Sequence, residues 1–408
     1  MKAAFRHLLR NRRRSLLTLV AVLVPVYILV LMYGLVSGEM RGFFDGAVKL
    51  RTGHFQVRAV ADRPEGGALP LINQPEKLIG LVDGLPGIER HVVRLDLPAL
   101  AAEGDHSQGV LVQGISSGQT DPIADLVTSG RFLNGDGRSA VVGEGLARLL
   151  NLKVGDQIIL LGSHPDAGLG VANPTVVGVF SAPDETLSRS VVDVDLSLAR
   201  QLVRRPDAAT AIVGYVRGVD GPWDAWKIER AVVALRAELP AGYEVLDWRA
   251  LSPDIDLYMR IARPILTLFS GIFFILGGLV VLNTLYLSVM ERTRELGIII
   301  ALGASRGQVM RMVFTEAGLI AVAGGAIGAL AGAALVWIIE AVGGLRLPGA
   351  YSGFLKAFGM QPLLHLRVTI PEIALSAAAM VVVALLAAWY PARRAARLEP
   401  VEAIHYVQ

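Results

Sequence analysis

The segment MERTRELGIIIALGASRGQVMRM, residues 290–312, is a charged stretch between two long hydrophobic runs. These runs cover residues 264–289 and 313–342. A helix needs roughly 20 apolar residues to cross a bilayer, and each run is long enough to do so. The sequence therefore predicts two transmembrane helices joined by a loop, residues 290–312, at one face of a membrane.

Gly303 divides this loop into two helical pieces. The second piece opens with Ser305-Arg306-Gly307-Gln308, and this S-x-x-Q spacing lets a hydroxyl and an amide cap the start of a helix. The first piece is a short predicted helix, about residues 294–302, with apolar residues nearly all round it. These residues are Leu296, Ile298, Ile299, Ile300 and Leu302. Because such a helix is unfavourable in water, we expect a partner protein to bury it.

The composition is that of a membrane protein with a large soluble insert. The chain has 408 residues, of which 53% are hydrophobic, and a net charge of +3. So small a charge gives no support to nucleic-acid binding. The chain has no cysteine, which excludes disulfides, thiolate metal sites and cysteine nucleophiles.

The N-terminal residues 1–14 contain six Lys or Arg and no acid. They predict a cytoplasmic interfacial helix on an anionic membrane surface. The uncharged run that follows, residues 15–36, predicts the first transmembrane helix. A secretory signal peptide is the alternative, but its apolar core is usually shorter, about 7 to 15 residues.

Residues 37–263 consist of short β-branched runs separated by Gly, Pro, Asp and Asn, and they predict an α+β domain. The predicted strands are residues 109–114, 139–145, 156–162, 175–180 and 211–218. The predicted helices are residues 144–150 and 224–238. This domain is either a single body or two lobes with a boundary near residues 121–130.

A fourth apolar run, residues 372–390, follows Thr369-Ile370-Pro371-Glu372, a second capping-box spacing. Basic residues concentrate before the first predicted helix, in the 290–312 loop and in the tail, residues 391–408, whereas the longer 343–371 loop holds only three. The positive-inside rule then places both termini and the 290–312 loop in the cytoplasm. The predicted fold class is an α-helical membrane protein with four transmembrane helices and a large α+β extracytoplasmic domain inserted between helices 1 and 2.

Small and charged residues within the apolar runs indicate packing. Gly324, Gly328 and Gly332 repeat at four-residue intervals, so they form a face on which another helix can approach closely. That helix belongs either to the same chain or to a second copy.

Glu316 lies near the cytoplasmic edge, where we expect it to pair with Arg311 or Arg292.

Catalytic motifs are weak or absent in the sequence. No G-x-x-x-x-G-K-[ST] phosphate loop occurs, so we expect no ATPase activity and no bound cofactor in this chain, with ATP and Mg held by a partner. Residues 114–118, GISSG, match the G-x-S-x-G of serine hydrolases, but no helix-opening pattern follows, which favours a simple turn. The seven histidines are scattered and predict no metal site.

The run ERTRELGIIIALGASRGQVMRMVFTEA resembles the signature of the FtsX-like permeases, membrane subunits of an ABC transporter class. LVTSGRFLNGDGRSAVVGEGLARLLNLKVGDQIIL and TVVGVF resemble the extracytoplasmic core domain of this family, and YPARRAARLEPVEAIHY resembles its C-terminal end. LPGIERHVVRL and GLRLPGAYSGFLKAFGMQP are more similar to the lipoprotein-releasing LolC/LolE branch than to MacB or FtsX itself. The resemblance covers almost the whole chain.

This resemblance implies a bacterial cytoplasmic membrane protein in which two permease subunits, identical or different, stand above two cytoplasmic ATPase subunits. It also implies that motion produced by ATP hydrolysis reaches the outer domain through helical stalks, to which Arg260 and Arg263 would belong. The residues that would dock the ATPase are Arg294, Glu295, Leu296, Gly297, Ile299, Ala301, Leu302, Gly303, Ala304 and Arg306.

Two functions remain open at this point. One is extraction or export of a lipoprotein, lipid or other envelope molecule. The other is an FtsX-type regulatory role, in which the protein transmits force to an envelope hydrolase and transports nothing. The two differ in what the outer domain binds, which is lipidated cargo in the first case and a hydrolase in the second.

Overall fold

A computed structural model of the chain describes residues 12–60, 70–116, 121–164, 168–182, 185–346, 349 and 363–397. The described residues fall into two compact units. Residues 12–39, 259–345 and 363–397 form one unit, and residues 40–258 form most of the other.

Four long helices in the described part of the chain are apolar enough to span a membrane, in agreement with the predicted fold class. They are α1 (Arg12–Phe43), α8 (Pro253–Glu291), α10 (Arg306–Ala341) and α11 (Ile370–Ala395). Their buried side chains, mostly Val, Leu and Ala, form one core that includes Val26, Val281, Ala321 and Met380. Glu372 accepts a hydrogen bond from the Thr369 backbone N–H at 2.7 Å, which confirms the polar contact predicted at the start of α11.

Two of these helices continue well beyond the apolar runs from which they were predicted. After Phe43 the first helix continues as a π-helix, Phe44–Thr52, where the sequence predicted the start of the α+β domain. Asp45 supports this extension because its carboxylate lies 3.3 Å from Arg41 Nε and 2.8 Å from Lys49 Nζ, both at i,i+4 spacing. The α8 helix begins at Pro253, and the two acids in its first turn are favourable at a helix N-terminus.

The glycine face of α10 packs against α1 of the same chain. A Cβ added at Gly324 would lie 2.9 Å from Leu19 O, and one added at Gly332 would lie 2.9 Å from Val30 Cβ. At Gly328 it would lie 2.5 Å from Leu23 O, closer than any real Cβ. Gly324, Gly328 and Gly332 therefore lie against α1 of the same chain, and contact of this face with a second copy stays a prediction.

The second unit contains one mixed sheet and several short helices. Its strands are β1 (Phe55–Ala59), β2 (Ile72–Asn73), β3 (Ile88–Glu103), β4 (His106–Ile115), β5 (Val127–Gly130), β6 (Ser139–Gly143), β7 (Ile159–His164), β8 (Gly168–Ala172), β9 (Thr175–Phe180), β10 (Val191–Asp195), β11 (Ala208–Ala209), β12 (Ala211–Val216) and β13 (Tyr243–Asp247). Its α-helices are α2 (Glu76–Asp83), α3 (Glu144–Leu150), α4 (Glu185–Ser190), α5 (Leu196–Leu202), α6 (Ala225–Glu238) and α7 (Trp248–Leu251), with 3₁₀ turns at Pro122–Leu126 and Pro222–Asp224.

The main sheet has eleven strands, with the order β13-β1-β12-β3-β4-β10-β6-β9-β5 and with β7 and β8 extending from β3. The long β3 strand pairs with β12 through its first half and with β7 through its second half. Strand β10 is parallel to β4 and antiparallel to β6, so it joins the two parts of the sheet. Four of the described strands lie outside this sheet. Strand β2 pairs with β11, and β14 (Leu345–Arg346) pairs with β15 (Leu363–Leu364).

The elements predicted in this domain agree closely with the structure. The strand predicted at residues 175–180 and the helix predicted at 144–150 have the observed bounds, and the helix predicted at 224–238 begins one residue later. The division into two lobes near residues 121–130 is wrong, because strands from both sides of that segment pair in one sheet. In the GISSG motif, Ser117 and Gly118 lie outside the described residues, as do residues 1–11 and 398–408.

Candidate functional site

The loop between α8 and α10 contains a short helix, α9 (Thr293–Ala301), one residue from the predicted bounds. Thr293 is buried at its start, and its hydroxyl donates a hydrogen bond to Met290 O at 2.7 Å. This bond helps to fix the direction in which the helix leaves α8.

Gly303 ends the short helix, as predicted. Its φ is +99°, a conformation that favours glycine, and the Ala304 N–H reaches back to Ile299 O at 3.2 Å. The next helix, α10, begins with the predicted capping box. Ser305 Oγ accepts a hydrogen bond from the Gln308 N–H at 3.3 Å, and Gln308 Oε1 accepts one from the Ser305 N–H at 2.8 Å.

Leu296 fixes the short helix to the membrane unit. It is only 3% exposed and packs in a cluster formed by the ends of α8, α10 and α11, which includes Val289, Val309 and Ala392. The expectation that Leu296 is an anchor for a partner is therefore corrected, because its side chain is already buried within its own chain. Gly297 is buried as well.

The opposite side of the short helix is exposed and largely apolar. Ile298 is 44% exposed, Ile299 36% and Leu302 83%. We call this the α9 surface, and it consists of Arg294, Ile298, Ile299, Ala301, Leu302, Gly303 and Arg306. Six of the ten predicted docking residues belong to it, while Glu295 and Ala304 are half-buried. Ile298 was part of the predicted apolar pattern but was missing from the predicted docking residues.

A polar contact joins the loop to the third long helix. Arg292 Nη1 lies 3.1 Å from Glu316 Oε2, and both side chains are mostly buried. This confirms the predicted pairing of Glu316 and names Arg292 as its partner. Arg292 Nε also lies 3.4 Å from Glu295 Oε2. The same arginine thus ties α9 to α10.

Two family models match this chain, and together they cover most of it. The FtsX-like permease C-terminal model matches residues 267–400, which contain the α9 surface. The MacB-like periplasmic core domain model matches residues 15–231, more than half of the chain. The extracytoplasmic sheet and the loop with its short helix therefore belong to one family architecture.

Named relatives of the chain come from several branches of this family. The lipoprotein-releasing system transmembrane protein LolC of Xylella fastidiosa (strain 9a5c) is 24% identical over 74% of this chain and 75% of its own length. The uncharacterized ABC transporter permease YknZ of Bacillus subtilis (strain 168) is 23% identical over 100% of this chain and 98% of its own length. The macrolide export ATP-binding/permease protein MacB of Escherichia coli (strain K12) is 35% identical over 37% of this chain and 20% of its own length.

The identities to LolC and YknZ are almost equal, so they do not assign the chain to one branch. The two family models, the four long apolar helices and the inserted mixed sheet agree with one another. The chain therefore belongs to the FtsX-like permeases with a MacB-like periplasmic core domain, which are membrane subunits of ABC transporters.

Proposed function

We propose that this chain couples ATP hydrolysis by separate ATPase subunits to motion of its extracytoplasmic domain. The observation that carries the proposal is the division of the short helix into two faces. Leu296 is buried among the ends of three long helices, while Ile298, Ile299 and Leu302 are exposed. A helix held rigidly on one side and apolar on the other can transmit the movement of a partner whose groove binds it.

The partners in this proposal are two cytoplasmic ATPase subunits and a second permease subunit, identical or different. ATP and Mg bind the ATPase subunits, since the sequence contains no phosphate loop. The proposed cargo is a lipoprotein, a lipid or another envelope molecule. It is supported by the relative named as a lipoprotein-releasing protein, which matches three quarters of the chain.

The proposal requires the α9 surface to face the cytoplasm and the mixed sheet to face the other side of the membrane. Two basic residues of this surface, Arg294 and Arg306, and the basic end of α11 support that orientation, because Lys and Arg concentrate on the cytoplasmic side. Both termini then lie in the cytoplasm of a bacterial cell, and the protein spans the inner membrane.

Cysteine labelling tests this orientation in a chain that has no cysteine of its own. Gly307 and Asp105 are both exposed, and a Cβ at Gly307 has no neighbour closer than Ser305 Oγ at 4.0 Å. We expect an impermeant thiol reagent to label Asp105→Cys in spheroplasts, and to label Gly307→Cys only after the membrane is opened. Labelling of Gly307→Cys from outside, with Asp105→Cys protected, contradicts the proposed orientation.

Reconstitution tests the function itself. We expect the purified chain alone to hydrolyse no ATP, because it lacks a phosphate loop, and the complex with its copurified ATPase to do so. In vesicles that carry a lipoprotein, ATP should release the lipoprotein from the membrane in the presence of the complex only. ATP hydrolysis by the chain after removal of every ATPase subunit contradicts the proposal that only the partner subunits hydrolyse ATP. ATP hydrolysis without release, together with capture of an envelope hydrolase, favours the FtsX-type role.

A further inference from the structure

The extracytoplasmic sheet contains a polar cavity of about 240 Å³ that the proposed coupling does not use. Residues of the π-helix, of β1, β3 and β4 and of α7 line it. Its polar lining comprises Arg51, Thr52, Gln56, Arg58, Arg94, Asp96 and Gln113. Three arginines and one carboxylate give this lining a net charge of +2, in a cavity slightly smaller than the roughly 300–1,000 Å³ of drug-sized ligand sites.

One side of the cavity is built from a fixed ion pair. Arg94 and Asp96 are both more than nine-tenths buried. Arg94 Nε lies 2.9 Å from Asp96 Oδ1, and Arg94 Nη1 donates to the Arg51 carbonyl at 2.5 Å. The Asp96 N–H in turn donates to Thr210 Oγ1 at 2.8 Å. This wall is therefore rigid before any ligand arrives, which lowers the entropic cost of binding.

Gln113 is a buried polar side chain without a partner in the described part of the chain. It is 4% exposed and lies directly across from Asp96 on β3 and Asp193 on β10, yet none of the described hydrogen bonds includes its amide. Gln113 is not among the fully enclosed polar atoms that lack a partner, so its amide is accessible from the cavity that it lines. A molecule in the cavity can therefore pair with this amide.

Arg58 supplies positive charge that is only partly compensated. Its Nε donates to Gln56 Oε1 at 2.8 Å, and it forms no ion pair with the described residues, although the exposed Glu244 lies across from it on β13. Burial lowers the pKa of its guanidinium. An anion bound beside Arg58 would stabilise the charged form and occupy its remaining donors.

Asp193, which lies across from Gln113 on the neighbouring strand, does not fully cancel the positive charge of the cavity lining. Asp193 is completely buried, and neither of its carboxylate oxygens has a hydrogen-bond partner in the described residues. Burial, and then the nearby Asp121, raise the pKa of Asp193 well above its usual range. Both effects shift Asp193 toward its neutral form, whereas the nearby Arg94 opposes them.

We propose that this cavity binds a phosphate group, carried either by a soluble phosphate ester or by a phospholipid headgroup. A phosphate monoester has a charge of about −1.5 to −2 at pH 7, opposite in sign to the arginines of the lining. Guanidinium groups bind phosphate oxygens through paired N–H donors, and the amide of Gln113 can donate to another oxygen. Gln56 Nε2 already donates to Thr52 O at 2.7 Å. The proposal does not depend on ATPase docking or on the identity of the cargo.

The test is equilibrium dialysis of the full chain in a maltoside detergent against radiolabelled inorganic phosphate and sn-glycerol 3-phosphate. We expect wild type to bind at least one of them and Arg58→Gln to bind it about tenfold more weakly, the effect of losing a hydrogen bond to a charged group. Leu251→Trp, which fills the cavity without changing its charge, should also weaken binding. The matched control is Arg200→Gln, because Arg200 is likewise half-buried, donates one hydrogen bond through Nε and lies outside the cavity.

Native mass spectrometry after addition of phosphatidylglycerol distinguishes the two sources of phosphate. Lipid retention that falls in Arg58→Gln, but not in Arg200→Gln, assigns the site to a headgroup. If Arg58→Gln retains the lipid as wild type does but binds the soluble probes more weakly in dialysis, the site belongs to a soluble phosphate ester. If wild type binds neither the soluble probes nor the lipid, the cavity holds ordered water only and the proposal is wrong. If Arg58→Gln and Arg200→Gln lose binding equally, the probe does not bind at this cavity and the proposal is also wrong.

Discussion

The Ile299→Glu variant is expected to lose its ATPase partner while remaining in the membrane. Ile299 is 36% exposed on the α9 surface, so a glutamate there stays in contact with water and should not disturb the free chain. In an apolar groove the same carboxylate would be buried without a partner. This costs about 3 kcal/mol or more, roughly a hundredfold in binding. The measurement is copurification of the ATPase with the tagged chain, normalised to the amount of chain in the membrane.

A neutral variant tests the same surface without adding charge. Ile298 and Leu302 are exposed, and truncating one good anchor at an interface costs about 2 kcal/mol. The Ile298→Ala, Leu302→Ala double variant should therefore weaken ATPase binding by more than about thirtyfold and lower copurification accordingly. Leu296→Ala should instead lower the thermal stability of the membrane unit, because Leu296 is packed inside it.

Val154→Glu is the matched control for the added charge. Val154 is 42% exposed, similar to Ile299, but it belongs to the extracytoplasmic unit. Its replacement should leave copurification unchanged. If Ile299→Glu and the double variant copurify normally at normal membrane level, the ATPase docks elsewhere and the α9 surface is only an exposed loop.

The sequence was sufficient to predict the local structure of this loop, but not which side of the short helix is buried. The capping residues Ser305 and Gln308 and the helix-ending Gly303 act through their own backbone neighbours, so their spacing predicts the structure directly. Leu296, Ile298 and Ile299 look alike in the sequence. Their different burial follows from Val309 and Ala392, which are distant in the chain and reach the loop only through the packing of α10 and α11.

The same distinction holds in the extracytoplasmic domain. The helix at 144–150 and the strand at 175–180 follow from short-range periodicity. The single sheet depends on β10 inserting between β4 and β6, a long-range pairing that no local pattern specifies. The polar cavity was missed for the same reason, since Arg58, Arg94 and Gln113 lie on three different strands.

Gly328→Val is expected to destabilise the membrane unit by about 3 kcal/mol, the second large effect that the structure predicts. A Cβ at this position would lie 2.5 Å from the Leu23 carbonyl oxygen. Backbone atoms cannot move aside as a flexible side chain can, so α1 and α10 would have to separate. Gly328→Ala should have a smaller effect of the same sign. The measurement is the thermal unfolding midpoint of the purified chain in detergent, together with its level in the membrane.

Gly318→Ala is the control, because Gly318 lies in the same helix and a Cβ there would meet only Leu385 Cδ2 at an ordinary 3.7 Å. Alanine is favoured over glycine inside a helix by about 0.5–1 kcal/mol, so this variant should be neutral or slightly more stable. Comparing Gly328→Val with Gly318→Ala also distinguishes packing within the chain from contact between two copies. If Gly328→Val unfolds at the wild-type temperature but weakens the pairing of permease subunits, the glycine face serves an interface between copies, and its packing against α1 is not what stabilises the fold.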